Sequence, residues 1–570
     1  MLTLIRARAA ALIAPLLLGA CTTLPAEATL APPSTGIVSA ADPRAEMAGD
    51  AMLAQGGSAT DAAIAIMLAL TVVEPQSSGI GGGGFFVHGD AAGQVETLDG
   101  RETAPAAAHP RWLSGPDGQP LRYDQAVHTG LSVGVPGNIA LAAEAHRRHG
   151  KLPWAALFQP AIALARDGFA MNQRLRASLV TNEAFATDDP VARRVFIGAD
   201  GQPVAVGSTI RQPELVATFE RLAAGGPDAF YRSPNAAALA QRVRAATPGE
   251  QGMTASDIAN YRAKERAPVC GTYRQNRICG IGPPSSGGIA IIQMLGQLER
   301  FDLAALGPQA PEFWHLFLES QRLAYADREL YAGDADFVRV PVAGLIDPEY
   351  IARRSALIDP ARRSEVVAGQ PAGAPLAALG AHGDEQGTSH FSVLDRDGNA
   401  VSYTSTIESA FGSSLVHDGF YLNNELTDFS FVAVRDGRPV ANRVEGGKRP
   451  RSSMAPMLVY DPDGRLLMII GAAGGGTIPV QVARSIIGVI DFGLSAEQAL
   501  ALPLVMETGS TTLIEQGSAP ARALGQLEAM GHGNFAVRAA PVKANILLRT
   551  GAGWVSAREP RMAASLGTTP

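Results

Sequence analysis

From Ala62 to Leu70 the chain reads Ala-Ala-Ile-Ala-Ile-Met-Leu-Ala-Leu, with Ser58 and Asp61 just ahead of it. A helix over residues 57–73 is apolar on nearly all sides, so other layers of the molecule must enclose it. Ser58 and Asp61 supply the polar start that such a helix needs. A chain of 570 residues is long enough to build that enclosure. Amphipathic patterns follow at residues 137–148, 154–167 and 312–327 and predict helices with one buried face.

Past residue 364 the pattern changes. Residues 364–387 are rich in Ala, Gly and Pro and lack periodicity, which predicts an exposed loop. Residues 389–394 then alternate, residues 396–399 form a turn, and residues 400–407 make the return strand. A second hairpin is expected at residues 457–460 and 466–470. The glycine-rich run at residues 471–476 leads into a helix over residues 479–491. Helices, then paired strands, then helices imply a layered α+β body with its sheets inside.

The net charge of −7 provides no basic field for nucleic acid. At the N-terminus, Arg6 and Arg8 precede an apolar run from Ala9 to Ala20 that is too short to span a bilayer as a helix. It ends Leu18-Gly19-Ala20-Cys21, which resembles the lipobox of a bacterial lipoprotein signal. On that resemblance residues 1–20 are a signal peptide, and residues 21–35 are a lipidated Cys21 with a flexible tether. The protein is then exported, periplasmic or anchored to the outer membrane, and touches membrane only through its lipid. Cys270 and Cys279 flank a predicted hairpin, where they either pair or remain half-buried thiols.

No His-Glu-x-x-His or phosphate-binding Gly-x-x-x-x-Gly-Lys-Ser/Thr loop occurs. The joint pattern of several motifs is more telling. Glu74-Pro75-Gln76-Ser77-Ser78-Gly79-Ile80-Gly81-Gly82-Gly83 and Asp99-Gly100-Arg101-Glu102-Thr103-Ala104-Pro105 come first. Gly134-Val135-Pro136-Gly137 and Pro283-Pro284-Ser285-Ser286-Gly287-Gly288 follow. Then come Thr388-Ser389-His390-Phe391-Ser392-Val393, Asn423-Asn424-Glu425, Asp428-Phe429-Ser430 and Gly447-Lys448-Arg449-Pro450-Arg451-Ser452-Ser453-Met454. In this order they resemble the gamma-glutamyltransferase family of N-terminal-nucleophile hydrolases, over essentially the whole chain from about Ile37.

The resemblance implies a four-layer αββα sandwich, made as a precursor that cuts itself between Gly387 and Thr388. Residues 36–387 would form a large subunit and residues 388–570 a small one, interwoven in one catalytic domain. Thr388 becomes the nucleophile, and its freed α-amine, of ordinary pKa about 8, serves as the base. Thr406 matches the threonine bonded to the nucleophile, and Gly474 and Gly475 match the oxyanion-holding pair. Arg101, Ser452 and Ser453 match residues that take the donor's α-carboxylate, and Glu425 and Asp428 match those that take its α-ammonium. The implied partners are gamma-glutamyl donors such as glutathione and amino-acid or peptide acceptors, with no metal or cofactor.

Two departures bear on the substrate. Position 408 is Glu where transpeptidases of the family carry Asn, and residues 429–451 hold no Tyr or Trp for an aromatic lid. Glu408, two residues past Thr406, is expected on the same strand face, where a further carboxylate favours a donor bearing an ammonium. The alternatives are a cephalosporin- or glutaryl-acylase-like amidase on the same fold, and a peptide-binding lipoprotein without turnover.

Overall fold

A computed structural model describes residues 33–250, 252–380 and 387–566. The signal segment, Cys21 and part of the loop ahead of Gly387 lie outside the described residues. The strands of the central body are β1 (Ile37–Ala40), β2 (Gly83–Gly89), β3 (Val95–Asp99), β4 (Lys264–Arg266), β5 (Pro268–Tyr273), β6 (Asn276–Ile281), β7 (Ser389–Leu394), β8 (Ala400–Thr406), β9 (Met457–Tyr460), β10 (Leu466–Ala473), β11 (Lys543–Thr550) and β12 (Gly553–Arg558). The helices that position the site are α1 (Pro43–Ala54), α2 (Ala59–Val73), α3 (Asn138–His149), α4 (Gln173–Thr181), α5 (Gly287–Leu298), α6 (Pro311–Tyr331) and α7 (Ile478–Ile490).

Among the described residues there are two six-stranded sheets, ordered β1-β7-β8-β2-β3-β4 and β12-β11-β10-β9-β6-β5. The first carries α1, α2 and α3 on its outer face. One core there joins the α2 side chains to Phe86, Phe391, Val393, Val401 and Tyr403. A second core fills the space between the sheets and the layer of α5, α6 and α7 beyond, with Phe85 and Val87 pointing into it. Phe85, Phe86 and Val87 thus alternate between the two cores, as the period of a strand requires. The result is the expected αββα sandwich.

Helix α2 is buried along its whole length, and Ser58 and Asp61 form a reciprocal capping box at its start. The predicted helix over residues 154–167 is instead two, Trp154–Leu157 and Gln159–Asp167. Pro160 explains the break, because it has no N–H to continue the ladder and so starts a new helix in its first turn. Strand β10 runs on to Ala473, three residues past its expected end. Cys270 and Cys279, opposite one another on β5 and β6 with Cα atoms 4.2 Å apart, form a disulfide.

Where β7 crosses β10 the two sheets come very close. A methyl group added to Gly471 would sit 2.4 Å from the His390 ring. His390 is held there by Thr404 Oγ1 at 2.9 Å and Ser392 Oγ at 3.1 Å, and burial drives its pKa down to about 3. The ring is therefore neutral and acts as a spacer. Gly471→Ala should push the sheets apart and lower stability by about 1–3 kcal/mol. A lowered Tm checks this, and an unchanged Tm would show that the ring has room to move.

Candidate active site

The motifs read from the sequence lie far apart in the chain but interlock through backbone contacts. Asn423 donates from Nδ2 to the carbonyls of Gly81 (2.8 Å) and Gly134 (2.9 Å), and its Oδ1 accepts from Gly134 N–H at 2.9 Å. Ala104 N–H donates to the Lys448 carbonyl at 2.8 Å, and Val135 N–H to the Thr103 carbonyl at 2.9 Å. Ser452 N–H reaches the Pro284 carbonyl at 3.0 Å, and Ser286 N–H reaches the Ser452 carbonyl at 2.9 Å. The glycine run ahead of β2 has a steric cause, since a Cβ on Gly82 would lie 1.9 Å from the Thr406 carbonyl oxygen.

Thr388 directly precedes β7 and Thr406 ends β8, side by side at the rim of the first sheet. Both are buried. Thr388 Oγ1 donates to Thr406 Oγ1 at 3.3 Å and also contacts the Gly387 carbonyl oxygen. Thr406 Oγ1 donates to that same carbonyl at 2.7 Å and accepts from Glu408 N–H at 2.8 Å. The amide of Gly387 donates to the Glu408 carbonyl. A Cβ on Gly387 would fall 2.3 Å from that carbonyl oxygen and 2.9 Å from that of Ser409, so only glycine fits here. The peptide between Gly387 and Thr388 is thus gripped on both sides, with a hydroxyl polarising its carbonyl.

Glu408 departs from expectation. Strand β8 stops at Thr406, and Glu408 has φ 76, a left-handed conformation. Strand alternation therefore does not set its direction. Such a conformation is costly outside glycine and persists only where the surroundings impose it. Its carboxylate accepts from Tyr123 Oη at 3.1 Å and from Asn424 Nδ2.

Arg101 is buried and paired with Glu425 through one guanidinium nitrogen and with Asp428 through another. Its remaining donors reach the carbonyls of Pro450 (3.2 Å) and Arg451 (2.9 Å), which places it beside Ser452 and Ser453. Ser452 Oγ accepts from Met454 N–H at 3.2 Å, and Ser453 Oγ accepts from Arg328 at 2.5 Å. The expected carboxylate grip and the expected ammonium acceptors are thus bonded directly to each other. Glu102 adds a further acid: burial raises its pKa to about 7, against the pull of Arg101. Burial also lifts Glu425 well above its usual range despite Arg101, with Glu102 and Glu408 adding to the effect. Carboxyl groups clearly outnumber the guanidinium they surround.

Gly474 and Gly475 turn β10 into α7, with φ 116 and 56. Successive backbone amides in such a turn face a common point and suit an anion. The crossing of His390 over Gly471, continued along both strands, brings Thr388 level with Ala473 at the edge of this turn. Lys543, which pairs with Ala473 in the sheet, donates from Nζ to the Thr388 carbonyl at 2.9 Å.

Sequence reasoning did not single out Lys543 or Tyr123, and it assigned no role to Glu74, Glu102 or Asn424. For Lys543 the local sequence, Lys-Ala-Asn-Ile-Leu-Leu, gives no sign of a role beyond that of a charge at the start of a strand.

The chain matches the family model described as Gamma-glutamyltranspeptidase over residues 45–567. It is 37% identical over 508 residues to a glutathione hydrolase proenzyme of Bacillus subtilis (strain 168), covering 87% of this chain and 85% of that protein. It is 35% identical over 506 residues to the acylase ACY 1 proenzyme of Pseudomonas sp. (strain SE83), covering 88% and 87%. The solved structure of a cephalosporin acylase from Bacillus halodurans superposes with a TM-score of 0.79 at 25% identity, over 95% of this chain and 96% of that one. With these matches spanning nearly all of its length, the chain belongs to the gamma-glutamyltranspeptidase family.

Proposed function

We propose that this protein is a gamma-glutamyltransferase with glutathione hydrolase activity that matures by cutting its own Gly387–Thr388 bond. The observation that carries the self-cutting is the clamp on that peptide. Thr406 donates to the Gly387 carbonyl at 2.7 Å while the Thr388 hydroxyl lies against the same group. Attack by Oγ1 on the carbonyl carbon breaks the C–N bond, gives an ester, and leaves the nitrogen with the hydroxyl's proton. Water then hydrolyses the ester. The products are a large subunit, residues 36–387, and a small one, residues 388–570, with a free α-amine and hydroxyl on Thr388.

In turnover that amine takes the hydroxyl's proton as Oγ1 attacks the donor's γ-carbonyl. The amides of Gly474 and Gly475 receive the developing oxyanion. The protonated amine then returns its proton to the leaving nitrogen, and water or the amine of an amino acid or peptide collects the acyl group. Arg101, Ser452 and Ser453 take the donor's α-carboxylate, and Glu425, Asp428 and Glu408 its α-ammonium. The chemistry requires no cofactor.

The surplus of buried carboxyls favours a donor with an ammonium over a glutaryl group, which brings no cation to offset them. The acylase-like alternative keeps its footing in the ACY 1 relative and in Glu408. At the other end of the chain, the segment ending at Cys21 fits export and lipid anchoring at the outer membrane.

Wild type should run as two fragments, the smaller beginning at Thr388, while Thr388→Ala stays a single chain. Gly387→Ala should be cut far more slowly, because its methyl group has no room. N-terminal sequencing and gel analysis read both, and a full-length wild type that is active on amides would remove Thr388 as nucleophile.

Gamma-glutamyl and glutaryl anilides assayed side by side should show preference for the former. The sign of the pH effect follows from Glu102. A carboxyl raised to about 7 stays protonated below that pH, and an incoming ammonium must displace the proton. KM for the gamma-glutamyl donor should therefore fall as pH rises through 7, with no such fall for the glutaryl donor. The opposite ranking of donors would favour the acylase reading.

Cell fractionation tests the anchor. Cys21→Ser should release the protein from membranes or leave its signal uncut, whereas unchanged fractionation would favour a plain secretory signal.

A further inference from the structure

On the face of Thr388 away from Thr406 lies a buried ion network that the chemistry above does not use. Lys543 Nζ donates to the Thr388 carbonyl and to Ser389 Oγ, each at 2.9 Å, and pairs with Glu74 Oε2 at 2.5 Å. Ser389 Oγ donates to the same Glu74 oxygen at 2.7 Å. Glu74 caps the end of α2, and its other oxygen pairs with Arg174 of α4 at 3.2 Å. Lysine and glutamate are both buried, and burying two charges is expensive unless the pair is well bonded, so a network of this kind at a reacting residue calls for a role.

We propose that Lys543 is a positioning residue for the nucleophile. It pins the Thr388 carbonyl so that the new N-terminus stays in place after the cut, and its charge keeps the released α-amine in the unprotonated, proton-accepting form. The inference rests on the self-cutting described above, since only the cut creates that amine.

The geometry supports both parts. Cutting removes the grip on Gly387, and the carbonyl bond from Lys543 is then what fixes the orientation of Thr388 from its other side. The α-nitrogen is separated from the carbonyl oxygen by three bonds, so it lies roughly 6 Å from Nζ. At that range, with an effective dielectric of about 20, a unit positive charge disfavours protonation by up to about a hundredfold. Glu74, whose Oε2 contacts both Nζ and Ser389 Oγ, cancels part of this. The other charged groups facing this end are Arg174 from α4, Asp42 ahead of α1 and Glu408 after β8. His390 on β7 is neutral.

Burial and Arg174 bring Lys543 down to about 7 against the pull of Glu74, while Lys543 and Arg174 hold Glu74 at about 2 against its burial. The lysine is thus charged below pH 7, the range in which an ordinary α-amine of pKa about 8 would be protonated and idle.

The test is the pH profile of kcat/KM for a gamma-glutamyl anilide with processed wild type, Lys543→Met, Lys543→Arg and the neutral pair Lys543→Met/Glu74→Gln. In Lys543→Met the acid limb should move up by about one pH unit, with kcat falling at pH 6 and KM little changed at pH 9. The neutral pair should lie between Lys543→Met and wild type, and Lys543→Arg should stay near wild type. An acid limb unmoved in both neutralised proteins overturns the proposal. If neither variant matures, the rate of amine-specific acylation of Thr388 in wild type, followed against pH, decides the matter. A midpoint at or below 7 supports the role of Lys543, and one at 8 or above overturns it. A wild type that is never cut would sink the self-cutting reading itself, whereas a cut, active wild type with an unmoved limb sinks only Lys543.

Discussion

A polar strip on the inner face of the first sheet is pressed against the second sheet at the heart of this protein, and the site depends on how its hydrogen bonds are satisfied. The inward positions of β7 and β8 include His390, Ser392, Ser402 and Thr404, where a sandwich core would ordinarily be aliphatic. Ser402 Oγ reaches the Ile470 carbonyl at 3.1 Å and Ser392 Oγ the Ile469 carbonyl at 3.4 Å, so the sheets are joined by bonds as well as by packing. A buried polar group left unpaired is costly, so these bonds fix the register of one sheet on the other. That register sets Thr388 level with the glycine turn at Gly474 and puts Lys543 beneath it.

Much of this arrangement was legible in the sequence. Helix α2 announced itself because an all-apolar stretch has only one destination, and Ser58 and Asp61 marked its start to within a residue or two. Strands β7 and β8 showed clean alternation because one face meets helices and the other meets a sheet. Pairings between distant segments were not legible. Nothing local to Arg101 says that its partners are Glu425 and Asp428, and local alternation could not set the direction of Glu408, which lies past the end of its strand. A left-handed residue just past a strand is imposed by tertiary contacts, here the Gly387 amide and the Asn424 side chain. Lys543 went unread because a single lysine at the start of a strand is, from sequence alone, a solvated charge.

The two charge clusters at the site are of opposite character. Around Arg101 several buried acids share one guanidinium, and burial raises the carboxyl pKa values of Glu102 and Glu425. Around Thr388 the cations Lys543 and Arg174 both pair with the carboxylate of Glu74, and that carboxyl is held low. On the proposed function, a donor with an ammonium at one end and a polarisable carbonyl at the other is matched to both. Neither cluster could be moved without disturbing the other, because Glu408 joins the acid cluster by its side chain and the scissile peptide by its backbone.

Strand order carries one last consequence. The hairpin of β7 and β8, from the C-terminal part of the chain, is inserted between β1 and β2 from the N-terminal part. In the second sheet β6 likewise pairs with β9 across the same boundary. A break at Gly387–Thr388 would therefore change the molecularity of folding without changing the folded object. The nicked protein would come apart only by unfolding, a first-order event indifferent to dilution. Its return would need two separate chains to find each other, and would slow with every dilution.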